Sequence, residues 1–254
     1  MALKLYGAPM STCTTRVTIS LYEKDLDFEL IPVDLFAGEH KQPPFLSKNP
    51  FGLIPVLEDG DDLTLFGNYF QLISFILLSI PPLQSRNIVI VKLIETSYLY
   101  TPESRAITAY VAEKFKETGT DLIRHKDIKE AALVKVWIEV ESQQYQPAIS
   151  PIVYQYFVAP IQGKSPDQAI VDASVEKLGK VLDIYEAKLS ESKYLAGDFY
   201  SLADLHHLPY TYYFMKTPCA SLVNERPHVK AWWDDISSRP AFKKVAEGMI
   251  FGDK

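Results

Sequence analysis

The spacing of apolar residues near the N-terminus predicts a strand, a turn and a helix, in that order. An apolar run at residues 3–6 precedes Gly7 and Pro9, and helical spacing begins at Val17. The turn between them carries Ser11, which we therefore place at the start of the first helix. Free N–H groups and the helix dipole favour negative charge there. Ser11 is a candidate anion ligand, and a plain helix-capping role remains open.

The pattern that follows predicts three more strands. The segment at residues 28–34 completes a β-α-β unit, which favours a parallel pair of strands. Two short apolar runs, at residues 53–57 and 63–66, flank an acidic turn that contains a glycine, which indicates a hairpin. The Ile54-Pro55 bond at the head of this hairpin is a candidate cis peptide that would leave backbone groups free for an extended ligand.

Helical spacing dominates the second half of the chain. A helix is predicted over residues 104–116, followed by a polar stretch and then by amphipathic helices. The positions that carry this later spacing are Leu133, Val136, Trp137, Val140, Val175, Leu178, Val181, Leu182, Tyr185 and Leu189. The predicted fold is an α/β N-terminal domain (βαβ then ββα) with an all-α C-terminal domain.

Three smaller patterns in this half are assigned to folding. Ser201 and Asp204 have the spacing of a capping box, and the pair at 232–233 is interpreted as packing tryptophans. Adjacent His206 and His207 point about 100° apart on a helix, so they do not form a chelating pair.

Composition narrows the functional classes. The 254 residues are 47% hydrophobic, which suits one large or two small domains. A net charge of -6 without a Lys/Arg block argues against a nucleic-acid partner. The first residues have no signal-peptide pattern, so a cytoplasmic location is expected. Two cysteines without a Cys/His cluster predict no disulfide framework and no metal, although Cys13 near a helix start leaves a thiol-disulfide activity open.

Several motifs, in order, resemble a plant phi-class glutathione S-transferase. They are Tyr-Gly-Ala-Pro-Met-Ser (6–11), Gly-Glu-His-Lys (38–41), Asn-Pro-Phe-Gly-Leu-Ile-Pro (49–55), Leu-Phe (65–66), Glu-Ser-Arg-Ala-Ile (103–107), Tyr-Leu-Ala-Gly-Asp (194–198) and Ser-Leu-Ala-Asp (201–204). The resemblance implies a thioredoxin-like glutathione-binding domain over residues 1–118, a linker at 119–127 and an all-helical hydrophobic-substrate domain over 128–254. It also implies a homodimer with no membrane partner.

The same resemblance assigns roles to individual residues, with glutathione as co-substrate. Ser11 would be the catalytic serine whose hydroxyl donates to the glutathione sulfur and favours its thiolate. The glutathione-binding residues would be His40 and Lys41 for the glycyl carboxylate, the Ile54 backbone before Pro55 for the cysteinyl unit, and Glu103 and Ser104 for the ammonium and carboxylate of the γ-glutamyl unit. Met10 and Phe36, with the aromatic stretch at 145–157, would bind hydrophobic electrophiles.

The sequence departs from the family pattern in two places. Leu53 stands where the family has glutamine, which removes one amide from the glutathione site. Residues 67–102 intervene where Phe66 should lead almost directly to Glu103; 19 of these 36 residues are apolar and none is alanine. We interpret the segment as an insertion and hypothesise a retained intron read in frame. A membrane helix from residue 63 to 85 is a competing interpretation. A non-catalytic ligand-binding or inactive isoform, with Glu103 and Ser104 displaced, also stays open.

Overall fold

The computed structural model describes residues 3–60, 63–66 and 104–251. The predicted insertion at 67–102 and the candidate ligand Glu103 lie outside these ranges, as does most of the apolar run proposed as an alternative membrane helix. Among the residues that are described, no helix is both long and apolar enough to span a bilayer.

A four-stranded mixed sheet forms the base of the N-terminal part. Its strands are β1 (Leu3–Gly7), β2 (Phe28–Pro32), β3 (Val56–Asp59) and β4 (Leu63–Phe66), in the order β2-β1-β3-β4. Strands β1 and β2 are parallel, whereas β3 runs antiparallel to both β1 and β4. The predicted parallel pair and the predicted hairpin are both confirmed. Because Tyr6 pairs with Val56, the end of β1 lies beside the turn that precedes β3.

Helices cover both faces of this sheet. Helices α1 (Thr12–Glu23) and α3 (Ser104–Lys114) lie on one face, whereas α2 (Pro43–Leu46), which follows a 3-10 turn (Glu39–Lys41), packs through Phe45 against Val56 on the other. Helices α1 and α3 pack on each other and on the apolar face of the sheet through a buried cluster. Its members are Leu3, Leu5, Val17, Leu21, Leu57, Ile107 and Val111. The alternation of apolar residues along β1 therefore sets which face α1 and α3 cover.

The second half is helical, as the spacing predicts. Its helices are α4 (Ile128–Val140), α5 (Gln146–Val153), α6 (Ala159–Ile161), α7 (Gln168–Leu189), α8 (Leu202–Leu205), α9 (Leu208–Phe214), α10 (Ser221–Asn224), α11 (Pro227–Ser237) and α12 (Pro240–Ala246). Wider π-helical turns at Glu141–Tyr145 and Tyr154–Val158 join α4, α5 and α6. A 3-10 turn at Pro218–Ala220 precedes α10. The thioredoxin-like sheet domain followed by a helical domain confirms the predicted fold class.

The patterns assigned to folding lie in the helical core. Ser201 and Asp204 form a capping box at the start of α8, and Trp232 and Trp233 are buried. His207 is fully buried; its Nδ1 lies 2.8 Å from the Ala203 carbonyl oxygen and its Nε2 lies 3.0 Å from the Tyr185 hydroxyl. In the described ranges no group of His, Cys, Asp and Glu is arranged to hold a metal ion.

Helix α4 departs from the simple amphipathic expectation. Leu133 and Val136 are 47% and 55% exposed, and Ile128 is 85% exposed, whereas Val134 is buried. The helix is apolar on more than one side, so its three-and-four spacing does not identify which side meets the core. Ile128, Leu133 and Val136 form an apolar surface that stays exposed in the part of the chain that the structure describes.

The two halves are joined by direct contacts between α1 and the C-terminal helices. The Arg239 guanidinium donates from Nε and Nη2 to the two Glu23 carboxylate oxygens, each at 2.6 Å. The Tyr213 hydroxyl donates to the Met10 carbonyl oxygen at 2.8 Å. The second contact is made one residue before Ser11, so the helical domain helps to fix the turn that carries the candidate catalytic hydroxyl.

Candidate active site

Ser11 is the N-cap residue of α1. Its backbone is extended (φ -74°, ψ 124°), and its Oγ accepts a hydrogen bond from the Thr14 N–H at 3.4 Å. Ser11 therefore caps α1, as one interpretation of the sequence predicts, but this capping uses only one lone pair of its oxygen. The hydroxyl proton has no acceptor among the described residues, and the side chain is half-buried. The same oxygen can accept from the helix and donate its proton to an anion.

The first turn of α1 adds further donors beside this hydroxyl. The N–H groups of Thr12 and Cys13 have no acceptor within the helix, because the first turn of any α-helix leaves its donors free. They carry the partial positive charge of the helix N-terminus. A thiolate held by Ser11 would lie in a favourable electrostatic position. Cys13 itself is a free thiol, half-buried in this turn, with no second cysteine at the site in the described residues.

The turn that contains His40 and Lys41 is held against the loop before β3. The Lys41 ammonium donates to the carbonyl oxygens of Phe51 and Gly52 at 3.1 and 2.8 Å, which leaves one of its three N–H donors. Gly52 has φ +60°, and a Cβ at this position would lie 2.6 Å from the His40 carbonyl oxygen. A side chain at position 52 would therefore separate the loop from the turn.

His40 has an unsatisfied polar atom. Its Nδ1 is buried and has no hydrogen-bond partner among the residues that the structure describes. Burial, and secondarily the adjacent Lys41 ammonium, lowers the pKa of His40 below its ordinary value, so the ring is neutral near pH 7. A buried polar atom without a partner is uncommon in a folded protein and indicates a place where a ligand group can bind. The neighbouring Lys41 has one N–H donor left, so His40 and Lys41 together suit a carboxylate ligand.

The Ile54-Pro55 peptide is cis, as the sequence predicts. The buried Asn49 orders the loop before it, because its amide donates to the Leu53 carbonyl oxygen at 2.8 Å and its Oδ1 accepts from the Phe51 N–H at 3.0 Å. The backbone N–H and C=O of Ile54 have no hydrogen-bond partner within the described ranges. The Tyr6–Val56 pairing places this free edge beside the turn that carries Ser11. An extended peptide can pair with it as an added strand.

Ser104, the first residue of α3, is fully buried. Its Oγ accepts from Arg16 Nη1 at 2.8 Å, so its oxygen already has a partner inside the protein. Arg16 lies on α1, and its Nη2 is 3.7 Å from a carboxylate oxygen of Glu141, both side chains being fully buried. Arg105 completes the group by donating to the other Glu141 oxygen from Nε and Nη2 at 2.7 and 2.5 Å. The two guanidinium groups therefore share the Glu141 carboxylate near the start of α3.

Aromatic residues of the helical domain lie close to Met10. Tyr213, which donates to the Met10 carbonyl oxygen, has its ring centroid 5.2 Å from that of Phe157 and 4.8 Å from that of Phe251. Met10 is half-buried, and Phe36 is 69% exposed on the turn after β2. An apolar ligand at this position would meet flexible and aromatic side chains from both halves of the chain.

The aromatic stretch at 145–157 divides between two roles. Tyr145 is buried, stacks with Tyr185 at 5.6 Å and shares a hydrogen bond with Thr211, so it belongs to the core. Phe157, at the other end, lies in the group near Met10. Sequence reasoning did not identify Arg16 or Tyr213. The aromatic run at residues 210–214 is a visible signal for Tyr213, but nothing in the sequence shows that its hydroxyl reaches Met10.

Comparison with known proteins gives consistent results along the chain. The family pattern described as "Glutathione S-transferase, N-terminal domain" matches residues 1–67, and "Glutathione S-transferase, C-terminal domain" matches residues 145–240. The chain is 53% identical to glutathione S-transferase F13 of Arabidopsis thaliana, over 98% of this chain and 97% of that protein.

Two solved structures extend this similarity. Glutathione transferase F7 from Populus trichocarpa is 68% identical, with a TM-score of 0.82, over 98% of this chain and 100% of that chain. Glutathione S-transferase I from maize, solved with an atrazine glutathione conjugate, is 42% identical with a TM-score of 0.79, over 98% of each chain. The similarity therefore covers nearly the full length of each protein.

Proposed function

Because the chain belongs to the plant phi class of the glutathione S-transferase family, we propose that its Ser11 hydroxyl stabilises the thiolate of bound glutathione for attack on a hydrophobic electrophile. The chain is a glutathione S-transferase, and its catalytic assignment rests chiefly on one observation. Ser11 accepts from the helix while its proton has no acceptor in the described ranges, at a helix start where negative charge is favoured.

The glutathione molecule would lie along the free edge before β3. Its cysteinyl unit would pair with the free backbone groups of Ile54 beside Pro55, which directs its sulfur towards Ser11. The glycyl carboxylate would accept from the neutral His40 ring and from the remaining Lys41 N–H. Two observations support this placement: the buried Nδ1 of His40 lacks a partner within the described part of the chain, and Lys41 is held by the loop that precedes Ile54.

The γ-glutamyl end would lie at the start of α3. The Arg16 and Arg105 guanidinium groups lie there beside Glu141, and the first-turn N–H groups of α3 add donors. Since Ser104 is fully buried and its oxygen accepts from Arg16, we assign its side chain mainly to fixing the helix start, and the backbone to contacting the carboxylate. Glu103, proposed as the partner of the ammonium group, lies outside the described residues.

The reaction follows from these positions. The Ser11 hydroxyl donates to the sulfur, lowers the pKa of the thiol and keeps the thiolate populated at neutral pH. The sulfur lone pair attacks the electrophilic carbon, a C–S bond forms, and the leaving group departs with the bonding pair. Residues 1–118 would bind glutathione, and residues 128–254, beyond a linker at 119–127, would hold the electrophile near Met10 and Phe36. Holding both reactants in line supplies part of the acceleration.

We also propose that two chains associate through the exposed face of α4. Ile128, Ala132 and Val136 follow i, i+4, i+8 spacing and Leu133 borders them, so they form one arc of the helix. An uncovered apolar arc of this kind marks an interaction site. The unpaired thiols of Cys13 and Cys219 support a reducing location, which we assign to the cytoplasm.

The proposed function is tested by conjugation of glutathione to 1-chloro-2,4-dinitrobenzene with the full chain and its Ser11→Ala variant. We expect kcat/KM to fall about 100-fold or more, in line with the loss of one preorganised donor to a developing anion. Binding of S-hexylglutathione, which has no free thiol, should change less than threefold. A full chain that binds S-hexylglutathione but conjugates nothing would instead identify a non-catalytic binding protein.

A further inference from the structure

The turn that leads into α1 is hydrogen-bonded at each of its carbonyl groups. The Ser11 N–H donates to the Ala8 carbonyl oxygen at 2.9 Å, and the Thr15 N–H donates to that of Ser11 at 2.8 Å. The Thr15 hydroxyl donates to the Pro9 carbonyl oxygen at 3.1 Å. These three donors belong to the turn or to α1 itself. The donor to the remaining carbonyl group, that of Met10, comes from the other half of the chain.

That donor is the Tyr213 hydroxyl on α9, which lies 2.8 Å from the Met10 carbonyl oxygen. The Tyr213 ring is only 1% exposed and packs against Phe157 and Phe251, with ring centroids 5.2 and 4.8 Å apart. Burial raises the pKa of Tyr213 above that of a free tyrosine, so the hydroxyl keeps its proton at neutral pH. The donor is therefore fixed in position and stays a donor.

The hydrogen bond acts on the peptide group that precedes the Ser11 side chain. The Met10 carbonyl and the Ser11 N–H belong to one planar peptide group. Its N–H end is bonded to Ala8 and its carbonyl end to Tyr213, so both ends are fixed. This peptide leads directly to the Ser11 Cα, and any displacement of it moves the carbon that bears the hydroxyl group.

We propose, on the basis of the catalytic role proposed for Ser11, that Tyr213 is a positioning residue of the transferase reaction. Its hydroxyl fixes the Met10–Ser11 peptide and thereby directs the Ser11 hydroxyl at the glutathione sulfur. A hydrogen bond weakens steeply when its distance and angle depart from the optimum, so a displaced Ser11 would stabilise the thiolate less. Ionisation of glutathione, which binds to the sheet domain, then depends on a side chain of the helical domain.

The test is Tyr213→Phe, which removes the hydroxyl and keeps the packed ring. We expect the pKa of the bound glutathione thiol, followed by thiolate absorbance, to rise by about 0.5 unit or more. The kcat/KM for 1-chloro-2,4-dinitrobenzene should then fall about threefold or more at pH 6.5 and recover at pH 9, where the thiolate forms in both proteins. S-hexylglutathione has no thiol to ionise, so its affinity should stay within about twofold and show that the variant is folded.

The neighbouring Tyr212 offers a matched control. Its hydroxyl also donates to a backbone carbonyl, that of Ala246 at 3.2 Å, which lies outside the Ser11 turn. Tyr212→Phe should therefore leave the thiol pKa within about 0.2 unit of the parent value. Replacing Tyr213 by 4-aminophenylalanine, whose N–H can donate to the same Met10 carbonyl, should return the thiol pKa towards that of the parent chain.

A double variant tests whether Tyr213 acts through Ser11. Ser11→Ala/Tyr213→Phe should have the same thiol pKa as Ser11→Ala alone, because residues that act through one contact are not additive. Additive effects would overturn the proposal, as would an unchanged thiol pKa in Tyr213→Phe or an equal rise in Tyr212→Phe. If Ser11→Ala itself left the thiol pKa unchanged, the proposed function would fail first, so the two failures are distinguishable.

Discussion

At the scale of single residues, one oxygen atom has two partners. Ser11 Oγ accepts from the Thr14 N–H as the cap of α1, and in the proposed reaction the same hydroxyl donates to the glutathione sulfur. The two uses are compatible because a hydroxyl has one proton and two lone pairs. Accepting from the helix also fixes the oxygen position, so the proton can be directed at the ligand without rearrangement. Capping here contributes to catalysis as well as to folding.

A second residue, His207, gives the fold a predictable dependence on pH. Full burial, the largest cause, lowers its pKa from 6.5 to about 4. Between pH 6.5 and about pH 4 the unfolded chain binds a proton at His207 that the folded chain does not. The contribution of neutral His207 to the free energy of unfolding is therefore complete above pH 6.5 and is lost as the pH falls to about 4. A shift of this size corresponds to about 3 kcal/mol.

We therefore expect His207→Asn to lower the free energy of unfolding at pH 7.5, because the bond to Tyr185 is lost, and to reduce its variation between pH 6.5 and pH 4. Urea denaturation at several pH values measures both effects. Burial raises the pKa of Asp204 from 3.8 to about 6, so this residue makes the free energy of unfolding rise as the pH falls. Asp204 is present in both the parent chain and the variant, so its effect cancels when the two are compared. A variant as pH-dependent as the parent chain would contradict this assignment.

Local sequence signals predicted some residues of the site well and others not at all. The position of Ser11 between a strand and a helix, the cis bond before Pro55 and the Ser201–Asp204 cap are all specified by neighbours in the chain, so the sequence carries them. Arg16 and Tyr213 act on residues 88 and 203 positions away. Such pairings depend on how the helices cross, which no local pattern encodes.

At the scale of secondary-structure elements, a buried ionic group holds three segments together. Arg16 on α1, Arg105 on α3 and Glu141 in the turn after α4 meet with little exposure to solvent. Arg105 also contacts Gln146 at the start of α5. Glu141 is the carboxylate with which both arginines pair, so it links α1 to α3.

Replacing Glu141 with glutamine should cost about 3–5 kcal/mol of stability, because the fully buried Arg16 guanidinium then loses the one carboxylate that pairs with it among the described residues. Arg16→Met should cost less, about 1–3 kcal/mol, since Glu141 keeps Arg105 and chiefly the Ser104 hydroxyl loses its partner. Denaturant unfolding of the two variants measures the difference. If Arg16→Met were the more damaging change, packing around Arg16 would matter more than charge balance.

Elements with a clear period were predictable, and those with a mixed period were not. The strands and α7 follow periods of two and three to four residues, and the structure has them where the pattern indicates. Helix α4 is apolar on more than one side, so the predicted pattern included its exposed Leu133 and Val136 and left out its buried Val134. The π-helical turns on either side of α5 have no sequence signature of their own.

At the scale of the whole molecule, the exposed face of α4 makes the oligomeric state testable. The substitution Val136→Glu places a charge in the middle of the proposed interface, which should convert a dimer into monomers. Ile184→Glu is a matched control, because Ile184 is a 63% exposed apolar residue on α7, away from this face. Sedimentation velocity measures both. A parent chain that sediments as a monomer at micromolar concentration would exclude the dimer.

The role of the predicted insertion can be tested by deleting it. Strand β4 ends at Phe66 and α3 begins at Ser104, and each packs on elements outside residues 67–102. We expect a version without these 36 residues to fold and to conjugate 1-chloro-2,4-dinitrobenzene at least as fast as the full chain. Activity confined to the shortened version would identify the full chain as the inactive isoform. Loss of folding on deletion would show that the segment belongs to the domain.

The central claim is that Ser11 keeps the glutathione sulfur ionised. The most direct measurement is the pKa of the bound thiol, followed by the ultraviolet absorbance of the thiolate as a glutathione complex is titrated from pH 5 to pH 10. We predict a pKa at least about one unit below that of a free thiol for the full chain, and a return towards the free value for Ser11→Ala. The same pKa in both proteins would contradict the account.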